Sequence, residues 1–181
     1  MPTYTVMPGD TMWRIARNYG IRLEELAAAN PQITNINLIF PGQTITIPTI
    51  SNDLKTLEDE VVRLVNQERT RAGQPALTEN EEISNVARIK SNDFIRNNYF
   101  AHNSPTYGSP FEMLRNFGIT FTAAAENIAR GHRSAAEVMR FWMASPGHRT
   151  NILNPTYNQI GVGVARDNDG NLFWTQLFIR N

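Results

Sequence analysis

The chain has 181 residues, no cysteine, and seventeen basic residues that balance seventeen acidic ones. This length allows one domain or two modest ones. Proteins that bind nucleic acid draw most of their affinity from neutralising phosphates, so the absence of a basic excess argues against a nucleic-acid partner. The lack of cysteine excludes thiol catalysis, thiolate metal sites and disulfides.

Neither a membrane span nor an export signal is visible in the sequence. No stretch approaches the roughly 18 consecutive apolar residues that a helix needs to cross a bilayer. The first ten residues, MPTYTVMPGD, lack the basic head and apolar core of a secretory signal.

The first fifty residues predict the order strand, helix, helix, strand. Alternation at 4–6 indicates a short strand, and Asp10 and Thr11 are suitable N-caps for the helix that follows. A second short helix ends at Asn30, before a proline, and alternation at 45–47 indicates the return strand. Trp13 is predicted to pack inward, because it lies at helical spacing from Ala16 and Arg17 and so large a ring usually belongs to a core.

This stretch resembles a LysM domain over residues 1–49. The matching motifs are YTV-PGDT-W-IA--YG at 4–20, Leu26 with Asn30 and Pro31, and I-PGQ-I-IP at 39–48. The resemblance implies binding, without catalysis, of polymers that contain N-acetylglucosamine, such as peptidoglycan or chitin.

The family's groove lies between two loops, and this places the substrate-binding residues here at Gly9, Asp10, Thr11, Met12, Asn30, Pro31, Gln32 and Ile33. By hypothesis, backbone amides bond the acetamido groups while Met12 and Ile33 cover the apolar face of the sugar. The alternative is that the loops only close a small fold, since helix capping explains Asp10 and Thr11 without a ligand.

Residues 50–52 are a predicted linker, and residues 53–181 a second domain. Amphipathic helices are predicted over 53–67 and 81–98, and two alternating segments, 160–165 and 172–178, flank an Asp-Gly turn that is typical of a hairpin. Helices therefore come first and paired strands follow. The predicted class is an α+β sandwich with an antiparallel sheet.

The second domain resembles a bacterial member of the CAP superfamily, which also contains cysteine-rich secretory and pathogenesis-related proteins. The motifs that carry the resemblance include VNQERTRAG, FAHNSP, GSPFEML, AENIA, FWMASPGHRTNIL, IGVGVA and WTQLF. Together, the two resemblances imply a small βααβ LysM module followed by a CAP domain that is an α-β-α sandwich.

Two histidines and one carboxylate lie on three separate polar segments within apolar surroundings, as a shared pocket requires. The resemblance aligns His102 and His148 with the two pocket histidines of many CAP domains, and Glu126 with the first of two glutamates. The second glutamate would stand at Ser145, a departure found in the bacterial branch that removes half of the carboxylates.

Several roles for this pocket remain open from the sequence. His102, His148 and Glu126 could bind zinc or another divalent cation with an open coordination position, or Glu126 could act as a base with a histidine partner. A nucleophilic Ser104 or Ser145 would lack a G-x-S-x-G elbow. Alternatively, the groups only hydrogen-bond across the pocket and join its segments.

The leading hypothesis is a non-enzymatic envelope or spore-associated protein that binds a glycan polymer and presents the His/Glu pocket to a second partner. The alternative is a hydrolase of cell wall or protein that uses the pocket, and a third hypothesis is an inert structural layer. The expected location is extracellular, at the cell wall, or in a spore coat. His132 is predicted to be a solvated loop residue, whereas Trp142, Trp174 and Phe178 are predicted to be core.

Overall fold

The computed structural model describes residues 1–49 and 51–181. The chain divides into two compact units, Met1–Ser51 and Asn52–Asn181, which are described separately. Ile50, the first residue of the predicted 50–52 linker, lies outside the described residues. Asn52, its last residue, is the first residue of a long helix.

The first unit has the predicted order of strand, helix, helix and strand. Its elements are β1 (Thr3–Thr5), α1 (Met12–Asn18), α2 (Leu23–Ala28) and β2 (Thr44–Thr46). The two strands are antiparallel, with Tyr4 opposite Ile45. One small core holds the unit together, formed by Val6, Met12, Ile15, Ala16, Leu26, Ile33, Ile45 and Ile47.

The prediction that Trp13 belongs to this core is wrong. Helix α1 buries Met12, Ile15 and Ala16, and this face leaves Trp13 on the outer side with half of its surface exposed. The Arg17 guanidinium lies 5.6 Å from the centroid of the indole ring. Helical spacing alone did not distinguish the two faces of so short a helix.

The second unit is an α+β sandwich, as predicted. In chain order it contains α3 (Asn52–Arg71), β3 (Thr78–Glu79), α4 (Glu81–Arg96), α5 (Pro110–Asn116), β4 (Ala123–Arg130), α6 (Ala135–Ala144), α7 (Pro146–Leu153), β5 (Gln159–Arg166) and β6 (Leu172–Arg180). The strand order is β3-β5-β6-β4. The three long strands pair antiparallel, whereas the short β3 is parallel to β5.

Each face of this sheet carries a separate core. Along β6, Trp174 and Phe178 point to a cluster with α3, α6 and α7, and Leu177 and Ile179 point to a cluster with α4 and α5. This alternation follows from the two-residue period of a strand. The predicted core residues Trp142, Trp174 and Phe178 are all fully buried.

Two segments differ from the structure that the sequence suggests. The polar segment around Glu126 is a full strand, β4, whose central residues are buried. The Ser-Pro-Gly sequence after α6 is not an isolated turn but the start of α7: Ser145 is its N-cap residue and Pro146 its first helical residue. Proline suits this position because its missing N–H would have no partner there. None of the helices in the described residues has both the length and the apolar content that a membrane crossing requires.

Helix α4 packs against β5 at very short range. A Cβ atom added to Gly163 would collide with the backbone of Ala87 and Arg88, and one added to Gly161 would collide with Ile83 and Ser84. The IGVGV segment of β5 therefore places apolar side chains on one face and leaves the other face bare for α4. These two glycines fix how closely the helix approaches the sheet.

Replacing Gly163 with alanine is expected to lower the free energy of unfolding of the second unit by about 3 kcal/mol, because backbone atoms rather than a flexible side chain must move. Urea unfolding followed by the fluorescence of Trp142 and Trp174 measures this loss. The matched control is Gly147→Ala, since no neighbouring atom of the described residues lies within 4 Å of that added methyl group. Equal losses in the two variants would contradict the close-packing account.

Candidate functional site

His102 and Glu126 form a hydrogen-bonded pair at the surface of the second unit. His102 lies on the segment between α4 and α5, and its Nδ1 is 2.7 Å from Oε1 of Glu126 on β4. The glutamate side chain is only 2% exposed, whereas the histidine side chain is 58% exposed. The pair is thus a buried carboxylate covered by an imidazole that solvent can reach.

His148 lies on the first turn of α7, beside an aromatic side chain that also contacts the third histidine. The ring of Phe141 has its centroid 5.5 Å from that of His148 and 4.7 Å from that of His132. His132 is therefore half-buried against Phe141 and not simply a solvated loop residue as predicted.

Two asparagines hold α7 against the strand that carries Glu126. The Asn127 Nδ2 donates to the carbonyl oxygen of His148 at 3.1 Å, and Asn151 Nδ2 donates to Asn127 Oδ1 at 2.9 Å. The Asn127 Nδ2 also reaches Oε1 of Gln176 on β6, at 3.1 Å. This network fixes His148 relative to Glu126, because every link starts from a residue adjacent to one of them or on the same helix.

Helix α4 holds the segment that carries His102. The buried Lys90 ammonium donates to the carbonyl oxygen of His102 and lies 5.2 Å from the centroid of the Phe94 ring. Asp93 accepts hydrogen bonds from Ser104 Oγ and from the hydroxyl of Tyr99, both at 2.6 Å. These contacts tie both sides of His102 to one rigid element.

The two site histidines have opposite electrostatic environments. The hydrogen bond that His102 donates to Glu126 raises the pKa of His102 above its ordinary value, and partial burial opposes this shift. Burial lowers the pKa of His148, and the nearby charge of His102 lowers it further. Between the two pKa values, His102 is an imidazolium and His148 a neutral imidazole, which is a suitable arrangement for one acid and one base.

Two buried atoms of the site have no hydrogen-bond partner within the described residues: Oε2 of Glu126 and Nδ1 of His148. Buried polar atoms in folded proteins nearly always find a partner. A ligand or water that offers a donor to Glu126 would satisfy the carboxylate. The site can therefore bind a polar group, and through its two imidazoles it can also give or accept a proton.

The three residues do not fit the divalent-cation site considered from the sequence. Within residues 1–49 and 51–181, no three or more side chains of His, Cys, Asp or Glu are arranged to hold a metal ion. One oxygen of Glu126 is already engaged by His102 Nδ1.

Neither candidate serine is arranged as a nucleophile. The Ser104 hydroxyl donates to Asp93 and accepts from the backbone N–H groups of Thr106 and Tyr107 at 3.0 and 2.9 Å, so it stabilises a turn. Ser145 is the residue at which α6 ends and α7 begins.

The residues predicted for the sugar groove of the first unit divide into exposed and buried sets. Gly9, Thr11, Pro31 and Gln32 are exposed, and Asp10 is half-buried. Met12, Asn30 and Ile33 are buried at 1%, 0% and 8% exposure. Met12 and Ile33 belong to the same core cluster, so both loops are anchored in one core.

Four of the predicted groove side chains have structural partners, and one of them is Gln32, whose Nε2 donates to Asn30 Oδ1 at 3.1 Å. Thr11 caps α1 through the backbone N–H of Arg14 at 3.1 Å. Asp10 accepts from the hydroxyl of Tyr4 at 2.7 Å, and Asn30 donates to the carbonyl of Thr46 at 2.7 Å. The side chain of Met12 is buried and cannot lie on a sugar in this conformation, so the surface open to a ligand is mainly backbone together with Pro31 and Gln32.

Sequence reasoning missed the residues that position the site. Lys90 and Asp93 lie in what reads as an ordinary amphipathic helix, and nothing local marks them as buried. A weak signal existed for the asparagines, because Asn127 follows Glu126 directly and Asn151 lies one helical turn after His148.

Comparison with protein families accounts for nearly the whole chain. The model of the Cysteine-rich secretory protein family (CAP) matches residues 62–178, which is more than half of the chain. The chain belongs to this family. The LysM domain model matches residues 4–48, so this CAP protein carries a LysM domain ahead of its CAP domain.

Relatives of known sequence or structure share one or both domains. YkwD, an uncharacterized protein of Bacillus subtilis (strain 168), is 43% identical over 155 residues, which are 86% of this chain and 59% of that protein. An extracellular SCP-domain protein of Bacillus anthracis str. Ames is 35% identical, with a TM-score of 0.65, over 78% of this chain and 47% of that one. The chain thus spans about half the length of these two relatives.

Over the first unit alone, the chain is similar to the N-acetylmuramoyl-L-alanine amidase sle1 of Staphylococcus aureus (strain USA300). The identity is 42% over 50 residues, which are 28% of this chain and 14% of that enzyme.

A titration of the histidine ring protons by NMR is expected to give a pKa above about 6.5 for His102 and below it for His148. Glu126→Gln should lower the pKa of His102, because it removes the carboxylate that stabilises the imidazolium. Glu68→Gln, which removes a surface partner of Arg71, is the matched control and should leave both values unchanged.

The same shifts set opposite trends of stability with pH. A raised pKa means that His102 contributes stability that is complete below its unfolded pKa and is lost as the pH rises through its folded pKa. His148, with a lowered pKa, instead costs stability as the pH falls below its unfolded pKa. A His102 pKa that Glu126→Gln did not change would contradict the pairing.

Proposed function

We propose that this CAP protein is a non-enzymatic component of the cell envelope or spore. Its LysM domain, residues 1–49, holds it on a polymer that contains N-acetylglucosamine, of the peptidoglycan or chitin type, and its CAP domain presents the His/Glu site to a second partner. The observation that carries the proposal is the LysM match over residues 4–48. The similarity of the first unit to the N-acetylmuramoyl-L-alanine amidase sle1 supports peptidoglycan as the polymer.

The groove we propose uses the backbone of the two loops together with the side chains of Pro31 and Gln32. Gly9 and Thr11 on one loop, and Pro31 and Gln32 on the other, are exposed. Gly9 has a positive φ of 88°, and in the described part of the chain no neighbouring atom lies within 4 Å of a Cβ atom added there. A sugar acetamido group offers one donor and one acceptor, which exposed backbone carbonyl and amide groups can match.

In the CAP domain, recognition is the role that the site supports best. The buried oxygen of Glu126 without a partner favours binding of a group that carries a hydrogen-bond donor. Phe141, with 42% of its surface exposed beside His148, supplies an apolar surface next to it. We propose that the protein is located at the cell wall or in a spore coat.

A second candidate function is a hydrolase of wall or protein substrates. The opposite pKa shifts of His102 and His148 favour it, because such a pair offers an acid and a base at one pH. In this alternative Glu126 orients His102, and His148 accepts the proton from an attacking water.

Sedimentation of the full chain with insoluble peptidoglycan tests the glycan half of the proposal. We expect the chain to pellet, and the double change Pro31→Ala with Gln32→Ala to weaken binding at least about fivefold, since it strips the exposed side chains of one loop. Asn37→Ala, at an exposed position of the same domain outside both loops, is the control. A chain that stays in the supernatant would overturn this half.

Assays with wall fragments and peptides separate the two roles of the CAP site. The non-enzymatic proposal predicts no turnover above background. If turnover is found, His148→Ala and Glu126→Gln should each reduce it by at least about a hundredfold. Turnover that survived both substitutions would rule out the hydrolase site assigned here.

A further inference from the structure

A cleft separate from the His/Glu site lies at the end of the sheet where β4 finishes and β5 turns into β6. Its volume is about 470 Å³, within the usual range for ligand pockets of about 300–1,000 Å³. Neither His102, Glu126 nor His148 lines it. The residues that matter for its chemistry are Asn98, Phe100, Arg130, Asn168, Asp169 and Phe173.

The inner wall of the cleft is aromatic. The ring centroid of Phe94 lies 5.2 Å from that of Phe100 and 6.2 Å from that of Phe173. The guanidinium of Arg130 lies 5.0 Å from the centroid of Phe100. Stacking on a ring orients the flat guanidinium and leaves its N–H edges available for a ligand.

The rim of the cleft carries polar side chains that the fold does not use. Among the described residues, no hydrogen bond or ion pair engages the side chains of Asn98, Arg130, Asn168 or Asp169. Asp167 behaves differently, because its carboxylate accepts from the backbone N–H groups of Asp169 and Asn171 at 3.0 and 2.8 Å and so builds the turn. The rim therefore combines a free donor, a free acceptor and two amides.

The backbone at Asn98 directs this residue to the rim. It has a φ of 48°, the only positive φ of a non-glycine residue in the described part of the chain. The left-handed conformation ends α4 and turns the chain toward Tyr99 and Phe100. Because glycine adopts the same conformation freely, the side chain can be removed without disturbing the turn.

The charges of the rim select the class of ligand. Asp167 and Asp169 outweigh the single guanidinium of Arg130, so a phosphate-rich or polycarboxylate ligand is disfavoured. A neutral ligand with an apolar ring face and an amide fits better: the ring packs on the half-buried Phe173, the amide oxygen accepts from Arg130, and the amide N–H donates to Asp169. An N-acetylated hexosamine unit has these features.

We propose that this cleft is a second saccharide site, which binds N-acetylhexosamine units through Arg130, Asp169 and the two asparagines. The inference stands on the lining of the cleft and not on the proposed function.

The test is an NMR titration of the full isotope-labelled chain with the soluble tetramer of N-acetylglucosamine. We expect saturable shifts of the backbone amides of Asn98, Asn168 and Asp169. Arg130→Ala should weaken the affinity read from these amides about tenfold or more, the scale expected for a lost charge-assisted hydrogen bond. Asn98→Gly should weaken it as well while it preserves the backbone.

Arg115→Ala is the matched control, since Arg115 also lies 5.0 Å from a phenylalanine ring, that of Phe121, but does not line the cleft. It should leave the affinity unchanged. Two results would overturn the inference. One is that the chemical shifts of the cleft amides do not change up to the solubility limit of the tetramer. The other is that they change equally in the wild type and in both cleft variants.

The amides of Gly9 and Gln32 report on the LysM groove in the same spectra. Shifts there without shifts in the cleft support the proposed function and overturn the second site. Shifts in the cleft without shifts at Gly9 and Gln32 support the second site and contradict the glycan binding proposed for the LysM domain. The two proposals can therefore fail separately.

Discussion

The close contact between α4 and β5 is the constraint on which the CAP domain depends. Gly161 and Gly163 bring the helix backbone against the strand, and Ser91 Oγ then bonds the carbonyl of Gly163 at 2.8 Å. The buried pair of Arg88 and Glu58, 2.7 Å apart, adds a polar link to α3. Removing one partner of such a pair would leave a buried charge uncompensated and would strongly destabilise the domain.

This rigid placement of α4 determines where His102 lies. Lys90 and Asp93 are on the helix, and they hold the His102 segment at its carbonyl and at Ser104. Glu126 lies on β4, which pairs with β6 on the side away from β5, and His148 lies on α7. Three distant parts of the chain thus converge, and the resulting site is one of fixed position rather than of a flexible loop.

The electrostatics of the site follow from unequal burial. Glu126 is buried and accepts from an exposed imidazole, so it holds a proton on His102, whereas His148 is more deeply enclosed and lies near that charge. A buried carboxylate oxygen and a buried ring nitrogen remain without partners among the residues that the structure describes. Recognition of a polar ligand requires no more than this, while catalysis would require substrate to reach both imidazoles at once.

Much of this protein could be read from its sequence, because the decisive signals were local. Turn residues, caps and alternation predicted the βααβ order of the first unit and the hairpin of the second, and ordered motifs led to the prediction that His102, Glu126 and His148 share a site. The sequence did not determine which face of a short helix is buried, so Trp13 and Met12 were assigned the wrong surroundings.

Only the tertiary structure decided the partners of each polar group. It made a strand of the segment around Glu126, enclosed Lys90 beneath His102, and brought Arg130, Asn98 and Asp169 to one cleft from three separate segments. Local spacing carries no information about such contacts, since they arise where the sheet brings distant parts of the chain together.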